Sequence, residues 1–357
     1  MKRFGLWMVL CALVGTGAAA QDYQFTQAYA SPLHLNPAMS GYFSPASPVR
    51  LAAVYRNQWP GIAASFETIY AAVDMSLVES ASKRRRRKGT NFFQTVRPVG
   101  AGLVVSSDRA GSVNLRATQV SLQYALEIPL SESRINRSAQ GVYLRVGFQG
   151  GVAGRDLDYS RLVFEEDLRI SGSSETITGQ SRWYADLATG ALLYTNRLWI
   201  GAAVHHLTTP DIANTFEGAS PLPRRVTIHT GYEIPLEYTS NRKKLRRSVT
   251  PVAMYRLQGE FSQLDVGISS YVHPLVFGVF YRGMPLREVV PGVLNHDALA
   301  TLLGIQFENF SFAYSYDFTI SSLSASTGGA HELSVNYRVP APKRRSRERR
   351  TFPCLHF

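Results

Sequence analysis

The histidines and hydroxyl residues of the chain are the side chains that could carry out nucleophilic catalysis, in which a histidine base activates a serine or threonine. The histidines that could act as the base are His205, His206, His229, His273 and His296. Their spacing relative to serine or threonine matches no catalytic triad, and in a chain of 357 residues some hydroxyl group falls near some histidine by chance. The sequence therefore predicts no catalytic residue, and we expect a protein that is not an enzyme.

Metal and cofactor sites are also only weakly indicated. Glu165, Glu166 and Asp167 could offer carboxylate oxygens to calcium, but three adjacent acidic residues in a predicted loop are more typical of a solvated surface. Glycines such as Gly147 and Gly150 fall within or beside predicted strands and not between a strand and a helix. A phosphate-binding loop is therefore not indicated, and bends in a barrel wall explain these glycines better. We predict no metal and no cofactor.

Alternation of apolar and polar side chains is the dominant pattern of the chain from Val49 almost to the C-terminus. Runs of about ten residues alternate in this way and are separated by Gly, Pro, Asn, Asp or Ser, as is typical of strands joined by turns. In one such run, Leu122 and Tyr124 share a face while Gln123 lies on the other. Similar runs predict roughly 14 strands, with centres near residues 53, 71, 102, 122, 148, 188, 203, 230, 253, 267, 279, 302, 315 and 335.

The fold class that this pattern predicts is all-β, an antiparallel transmembrane β-barrel of about 14 strands over residues 49–340. Beyond the first 20 residues no stretch of roughly 18 or more consecutive apolar residues occurs, which a helix would need to cross hydrocarbon. A chain embedded in a membrane then has to close its strands into a barrel. The second face of the strands is small or hydrophilic, as a lumen requires. A soluble β-sandwich is the alternative, because its sheets also have one apolar face.

The residues before the first predicted strand divide into two parts. Met1-Lys2-Arg3, the apolar run that follows it and Ala18-Ala19-Ala20 match the three regions of a secretory signal, so we expect residues 1–20 to be removed. Residues 21–48 are rich in Pro, Ser, Asn and Tyr and look irregular. We hypothesise that they plug the lumen, because about 14 strands enclose more space than their own side chains fill.

Three basic blocks contribute much of the formal net charge of +12. They are Lys83–Lys88, Arg242–Arg247 and Lys343–Arg350, the last in a predicted basic periplasmic tail of residues 341–357. If the N-terminus is periplasmic, strand parity places all three blocks in the periplasm and the acidic connection of residues 155–182 outside. Export argues against nucleic acid as the partner, although basic clusters can bind it. Outer-membrane lipid or a periplasmic protein would attract the same charges; solvated loops are the alternative.

The residues of the first basic block that are candidates for a periplasmic contact are Arg84, Arg85, Arg86 and Arg87.

Three short motifs bracket nearly the whole predicted mature chain. The first is Gln21–Gln27 followed by Asn36-Pro37-Ala38, the second is Arg56-Asn57-Gln58-Trp59-Pro60, and the third is His331-Glu332-Leu333. In this order they resemble the mature N-terminus, the first hairpin and the last hairpin of the PorP/SprF family of type IX secretion components. The arginine-rich run at 83–88 departs from the family pattern, and only the strand rhythm supports the middle of the chain.

The resemblance implies a multi-pass protein of the cell outer membrane that works with the type IX secretion apparatus, which exports proteins with C-terminal signals and supports gliding in some members. Its members are not known as enzymes. The implied partners are other components of the system, namely its periplasmic ring or a peptidoglycan-linked protein, with a secreted adhesin carrying a C-terminal signal as a further candidate. The alternative function is a passive outer-membrane channel or a hydrophobic-solute transporter.

The motifs also supply the candidate residues for contacts with a partner or with the plug. They are Asn36, Pro37, Arg56, Asn57, Gln58, Trp59, His331 and Glu332. We hypothesise that Asn36, Pro37 and Trp59 shape the plug and the neighbouring rim. A simple turn at Asn36-Pro37 and an interfacial anchor at Trp59 would explain the same residues. For His331 and Glu332, a structural role at the start of a strand is an equal alternative.

Overall fold

The described part of the chain is almost entirely antiparallel strand. The computed structural model of the protein describes residues 22–43, 47–62, 65–77, 96–111, 114–132, 141–157, 181–213, 220–238, 245–290, 293–307, 309–321 and 325–340. The predicted signal peptide of residues 1–20, the candidate contact residues Arg84–Arg87 and the predicted tail of residues 341–357 lie outside the described residues.

The strands follow one another along the chain with few interruptions. They are β1 (Val49–Gln58), β2 (Phe66–Ser76), β3 (Arg97–Ala110), β4 (Leu115–Glu132), β5 (Gly141–Asp156), β6 (Arg182–Tyr194), β7 (Leu198–His205), β8 (Arg225–Tyr232), β9 (Ile234–Tyr238), β10 (Leu245–Gln258), β11 (Phe261–Val272), β12 (Leu275–Val290), β13 (Val293–Gln306), β14 (Phe310–Thr319) and β15 (Ala330–Val339). The described helices are α1 (Pro32–Leu35) and two 3₁₀ turns, Pro37–Met39 and Ala325–Thr327. None of them is long and apolar enough to cross a membrane.

Hydrogen bonding between the first and last strands closes the sheet into a barrel. β1 pairs with β15 from Val49↔Val339 to Gln58↔Ala330. Except at β8 and β9, which do not pair with each other, each strand also pairs with its neighbours in sequence. β8 and β9 both pair with β10, so they are two parts of one crossing strand that is interrupted at Glu233. The described strands therefore form a closed antiparallel barrel of 14 crossing strands, and the predicted fold is confirmed.

The two faces of the wall have opposite character. Apolar side chains point outward and are widely exposed, for example Leu122 at 66% and Leu303 at 55%. Charged side chains point inward and are buried, for example Arg56 at 3% and Glu332 at 0%. In water this arrangement would be unfavourable, because each large apolar side chain left exposed forgoes roughly 1.5–3 kcal/mol of burial free energy. Hydrocarbon outside the wall removes that cost, as in outer-membrane barrels.

The two ends of the barrel differ in their connections. The end at which β1 starts, which we call the turn end, has short connections at residues 195–197, 273–274 and 307–309. The opposite end, which we call the loop end, has the long connections of residues 157–181 and 206–224.

The strand order also separates the charged segments of the sequence. The connections 77–96 and 239–244 and the exit of the chain from β15 are all at the turn end, so the three basic blocks attach there. The acidic connection attaches at the loop end. The assignment of the turn end to the periplasm stays a prediction.

Candidate functional site

Residues 22–43, which we call the inner segment, lie against the inward-facing side of the wall. The segment begins at the loop end, where the Asp22 N–H donates to Gln258 Oε1 at 3.1 Å. It ends at the turn end, where the Gly41 N–H donates to Asp74 Oδ2 at 2.8 Å. Between these points its apolar residues are buried, with Phe25 and Leu33 each only 1% exposed. The inner segment therefore runs through the lumen before β1 begins.

The Asn36-Pro37 pair sets the turn in the middle of the inner segment. Asn36 is extended, with φ −158° and ψ 121°, as expected of a residue that precedes proline. It ends α1 and caps the following 3₁₀ turn, because its Oδ1 accepts from the Ala38 N–H at 2.9 Å. Its Nδ2 donates to the carbonyl oxygens of Ala191 at 3.0 Å and Ala202 at 3.3 Å. One side chain thus fixes the local turn and attaches it to β6 and β7.

Inward-facing glycines make room for this turn. A Cβ on Gly147 of β5 would lie 2.2 Å from the Ala38 nitrogen and 2.2 Å from the Pro37 carbonyl carbon. A Cβ on Gly190 of β6 would lie 2.1 Å from Asn36 Oδ1. Gly147 therefore permits close approach of two backbones, and its interpretation as a barrel bend stays a prediction.

A buried ion network holds the first part of the inner segment. Arg56 Nη1 contacts Glu332 Oε2 at 3.0 Å, and Arg56 Nη2 contacts Asp317 Oδ2 at 2.9 Å. Arg282 Nη1 reaches the same Asp317 oxygen at 3.0 Å. Thr26 Oγ1 lies at the centre, accepting from Arg56 at 3.0 Å and from Arg282 at 2.9 Å. The network thereby links β1, β12, β14 and β15 with the inner segment.

The Glu332 carboxylate binds the backbone of the inner segment directly. Its two oxygens accept from the N–H groups of Thr26 and Gln27, each at 2.8 Å. The Gln27 side chain donates to Ser315 Oγ at 3.1 Å and accepts from Ser334 Oγ at 2.5 Å. Because buried charges are tolerated only when they are paired and hydrogen-bonded, these bonds hold the inner segment and the wall in one arrangement.

The network continues along β10 and β11 with charges in balance. Arg282 Nε contacts Asp265 Oδ1 at 3.2 Å, and Arg256 Nη2 contacts Asp265 Oδ2 at 3.2 Å. Arg256 Nη1 also donates to Gln24 Oε1 at 2.5 Å. Three buried arginines therefore face three buried carboxylates; the carboxylates are Asp265, Asp317 and Glu332.

A second ion cluster holds the start of the inner segment at the loop end. His206 Nε2 lies 2.7 Å from Asp22 Oδ2, and its Nδ1 lies 3.0 Å from Asp186 Oδ1. Burial opposes the imidazolium charge, but the two carboxylates outweigh it and raise the pKa of His206 to about 9. Arg225 Nη1 lies 2.9 Å from Asp22 Oδ2. Burial acts to raise the pKa of Asp22, but His206 and Arg225 hold it below its usual value. The cluster is therefore charged at neutral pH.

A cavity remains between the inner segment and the wall formed by β10 to β13. Its volume is about 20 Å³, which is room for roughly one water molecule. Its lining combines the apolar side chains of Val252, Met254 and Phe280 with the charged side chains of Asp265 and Arg282.

The structure brings together some of the candidate site residues and separates others. Arg56 and Glu332 meet in the buried network, and Gln58 joins them because its Oε1 accepts from Arg56 Nη2 at 3.2 Å. Asn36 and Pro37 contact a different part of the wall, at β5 to β7.

The remaining candidate residues lie on the outer face or at the rim. Asn57 and His331 are register partners on the outward-facing side, and His331 Nδ1 lies 2.8 Å from the Tyr314 hydroxyl. Trp59 lies at the β1–β2 turn. Its backbone N–H donates to the Gly329 carbonyl at 2.7 Å, and its ring packs edge-on against Phe66. None of these three therefore belongs to the contacts described above between the wall and the inner segment.

The sequence interpretation missed five residues of the network: Thr26, Arg256, Asp265, Arg282 and Asp317. Thr26 lies in a stretch that resembles the PorP/SprF family, so a signal was present for it. Arg282 could have been found as a charged residue within a predicted membrane strand, where a charge is costly unless it faces inward and is paired. No sequence signal would have shown which carboxylates it meets.

Comparison with known proteins places the chain in a family. The sequence profile described as "Type IX secretion system membrane protein PorP/SprF" matches residues 17–337. No curated protein matches the chain. Among solved structures, the P. putida toluene transporter TodX has a TM-score of 0.39 at 11% identity, over 90% of this chain and 95% of that chain. The CymD monoaromatic hydrocarbon channel has a TM-score of 0.39 at 11% identity, over 92% of this chain and 96% of that chain. BamA from Haemophilus ducreyi has a TM-score of 0.36 at 10% identity, over 82% of this chain and 70% of that chain. At TM-scores below 0.5 and identities of 10–11%, these similarities support no conclusion about the fold or the function of this chain.

Proposed function

Because the chain belongs to the PorP/SprF family of type IX secretion system membrane proteins, we propose that it is a docking barrel of that system in the outer membrane. It holds a secreted cargo or adhesin, the periplasmic machinery, or both at the membrane, and so supports protein secretion or gliding. It is not an enzyme, and its work is done through contacts. The observation that carries this proposal is the attachment of the inner segment to the wall on all sides of the lumen.

The buried contacts favour docking over transport. The inner segment is tied to β15 by Glu332, to β6 and β7 by Asn36 and to β2 by Asp74. Moving it aside would break its hydrogen bonds to the buried carboxylates of Glu332 and Asp74, and hydrogen bonds to charged groups contribute about 1.5–3 kcal/mol each. A lumen filled in this way supports a barrel that presents surfaces at its two ends and passes little solute.

The connections and charges at the two ends of the barrel support periplasmic contacts at the turn end. Outer-membrane barrels have short periplasmic turns and longer extracellular loops; the turn end has three connections of two or three residues, and the connection 77–96 at the same end is long. The three basic blocks then lie in the periplasm, where they attract acidic proteins or the headgroups of the inner leaflet.

The cavity beside β10 to β13 bears on the alternative function of a channel or hydrophobic-solute transporter. Val252, Met254 and Phe280 give it an apolar side, as small-molecule sites usually have. Its volume of about 20 Å³ is far below the roughly 300 Å³ or more of ligand pockets, so the cavity gives the transporter little support.

Replacing Arg84, Arg85, Arg86 and Arg87 together by serine is expected to reduce the recovery of type IX components in a crosslinked pull-down from cell envelopes. Four positive charges at the turn end contribute electrostatic attraction that the variant lacks, and we expect recovery to fall roughly tenfold. The barrel should still fold, because these residues belong to none of the described strands.

A matched control removes four arginines from the loop end instead: Arg109, Arg116, Arg161 and Arg169, each replaced by serine. This control is expected to keep full recovery. Equal recovery by both variants would remove the first basic block from the contact. Recovery of no type IX component and no adhesin by the unmodified protein would favour the transporter.

A further inference from the structure

One edge of β9 has no partner strand among the described residues. β8 pairs with β7 as far as Tyr232↔Leu198, and the Glu233 N–H then donates to the Arg197 carbonyl at 2.9 Å. Beyond this point β9 continues for Ile234–Tyr238 and pairs only with β10. Five residues of strand present an open edge of about 16 Å at the turn end of the barrel.

The side chains of β9 indicate that this edge lies at the boundary of the membrane. Ile234, Leu236 and Tyr238 point outward and are exposed, Leu236 at 63%. Tyr232 precedes them on the same face. Apolar side chains flanked by tyrosines are typical of the zone where hydrocarbon meets headgroups. Unpaired backbone groups are costly there, so an added strand that pairs them would be stabilised.

Two features make the edge selective. Pro235 lacks an N–H group, and the register between β9 and β10 shifts on either side of Arg247. Proline and bulges on an edge strand suppress indiscriminate pairing between long, flat edges. A second copy of the barrel is therefore a poor partner, whereas a short extended segment can follow the irregular edge.

The charges beside β9 define the kind of segment that fits. Arg246 and Arg247 share Glu237, with distances of 3.8 and 3.2 Å, and their side chains are 57% and 60% exposed. One carboxylate for two guanidinium groups leaves a positive excess on β10, one strand away from the open edge. The basic blocks Lys83–Lys88 and Lys343–Arg350 attach at the same end. Like charge makes these parts of the chain unsuitable occupants and favours an acidic one.

We propose that the open edge of β9 is a docking site for an extended acidic segment of another protein, which adds to β9 as a strand and places its carboxylates beside Arg246 and Arg247. Backbone hydrogen bonds supply affinity in strand addition, and side chains supply specificity. The inference rests on the proposed function, since it places a partner at the turn end, and it deepens that function by naming the chemistry of the contact.

Peptide binding to the full mature barrel in detergent micelles tests this site. The probe is a fluorescent eight-residue peptide of alternating glutamate and valine. We expect saturable binding, at least about tenfold weaker when the backbone amides of the peptide are N-methylated, because those amides can no longer donate to an edge. The double variant Arg246→Ser/Arg247→Ser should also bind about tenfold more weakly. The matched double variant Arg109→Ser/Arg116→Ser, an exposed arginine pair at the loop end, should bind as the unmodified protein does.

Three results would overturn the site. Equal affinity for the N-methylated peptide would mean that charge alone attracts it. Absence of binding would mean that the edge accepts no strand. Binding of phosphatidylglycerol vesicles through Arg246 and Arg247 without peptide binding would assign these arginines to lipid. Peptide binding together with an envelope pull-down that recovers no type IX component would contradict the proposed function but not the edge site. A pull-down that recovers type IX components, together with no peptide binding, would contradict the edge site alone.

Discussion

Replacing Glu332 by alanine is expected to lower the free energy of unfolding of the mature barrel by about 3–5 kcal/mol, as for other buried ion pairs that lose one partner. Glu332 is fully buried. Its removal leaves Arg56 with one carboxylate fewer and leaves the N–H groups of Thr26 and Gln27 without their acceptors. Denaturant titration of the protein in detergent micelles, followed by tryptophan fluorescence, measures the change.

The matched control is Glu67→Ala. Glu67 also pairs with an arginine across neighbouring strands, but the pair is exposed and its atoms are 3.7 Å apart. Such surface pairs contribute roughly 0–1 kcal/mol, so the control should unfold almost as the unmodified protein does. A Glu332→Ala protein that unfolds at the same denaturant concentration as the control would show that the network does not hold the inner segment.

Replacing Gly147 by valine is expected to push the Asn36-Pro37 turn away from β5. The new Cβ would lie 2.2 Å from two backbone atoms of the inner segment, which cannot shift as the end of a flexible side chain can. Overpacked sites usually cost about 1–3 kcal/mol, and we expect a loss at the upper end of that range. The same denaturant titration measures it, and deletion of residues 21–48 should abolish the difference between glycine and valine.

Gly150→Val is the matched control for this change. Gly150 is on the same strand but faces outward, and the nearest atom to its added Cβ is 3.6 Å away. Valine there should be tolerated, since lipid surrounds it. An equal loss at Gly147 and Gly150, or a loss at Gly147 that survives deletion of residues 21–48, would contradict the proposed close approach.

The strands could be predicted from the sequence because period-two alternation follows directly from the geometry of a strand with two unlike faces. The run around Leu122 and Gln123 became β4 with Leu122 outward and Gln123 buried, as its pattern indicates. The interruption at Glu233 could not be predicted. Alternation continues through it from Ile228 to Tyr238, but pairing with β7 ends at Leu198 and pairing with β10 is interrupted between Gly231 and Ile234.

The lumen contacts were less accessible to sequence reasoning. Arg56 and Glu332 could be singled out because they lie in motifs, and both belong to the buried network. Arg282 and Asp317 meet because only β13 separates β12 from β14, and Arg56 joins them because barrel closure pairs β1 with β15. Gly147 shares the inward face with Arg145 and Gln149, so the alternation could show a position on the inner wall that has no side chain. Which residues pack against that position depends on the path of the inner segment.

Planar-bilayer conductance of the purified mature protein, with and without residues 21–48, tests most directly whether this barrel is closed by its own N-terminal segment. The intact protein should pass little current, and the deletion should show stable open steps, because about 14 strands enclose a lumen too wide for the wall side chains alone to fill. Stable open steps from the intact protein, or a deletion that conducts no better than the intact protein, would contradict the account.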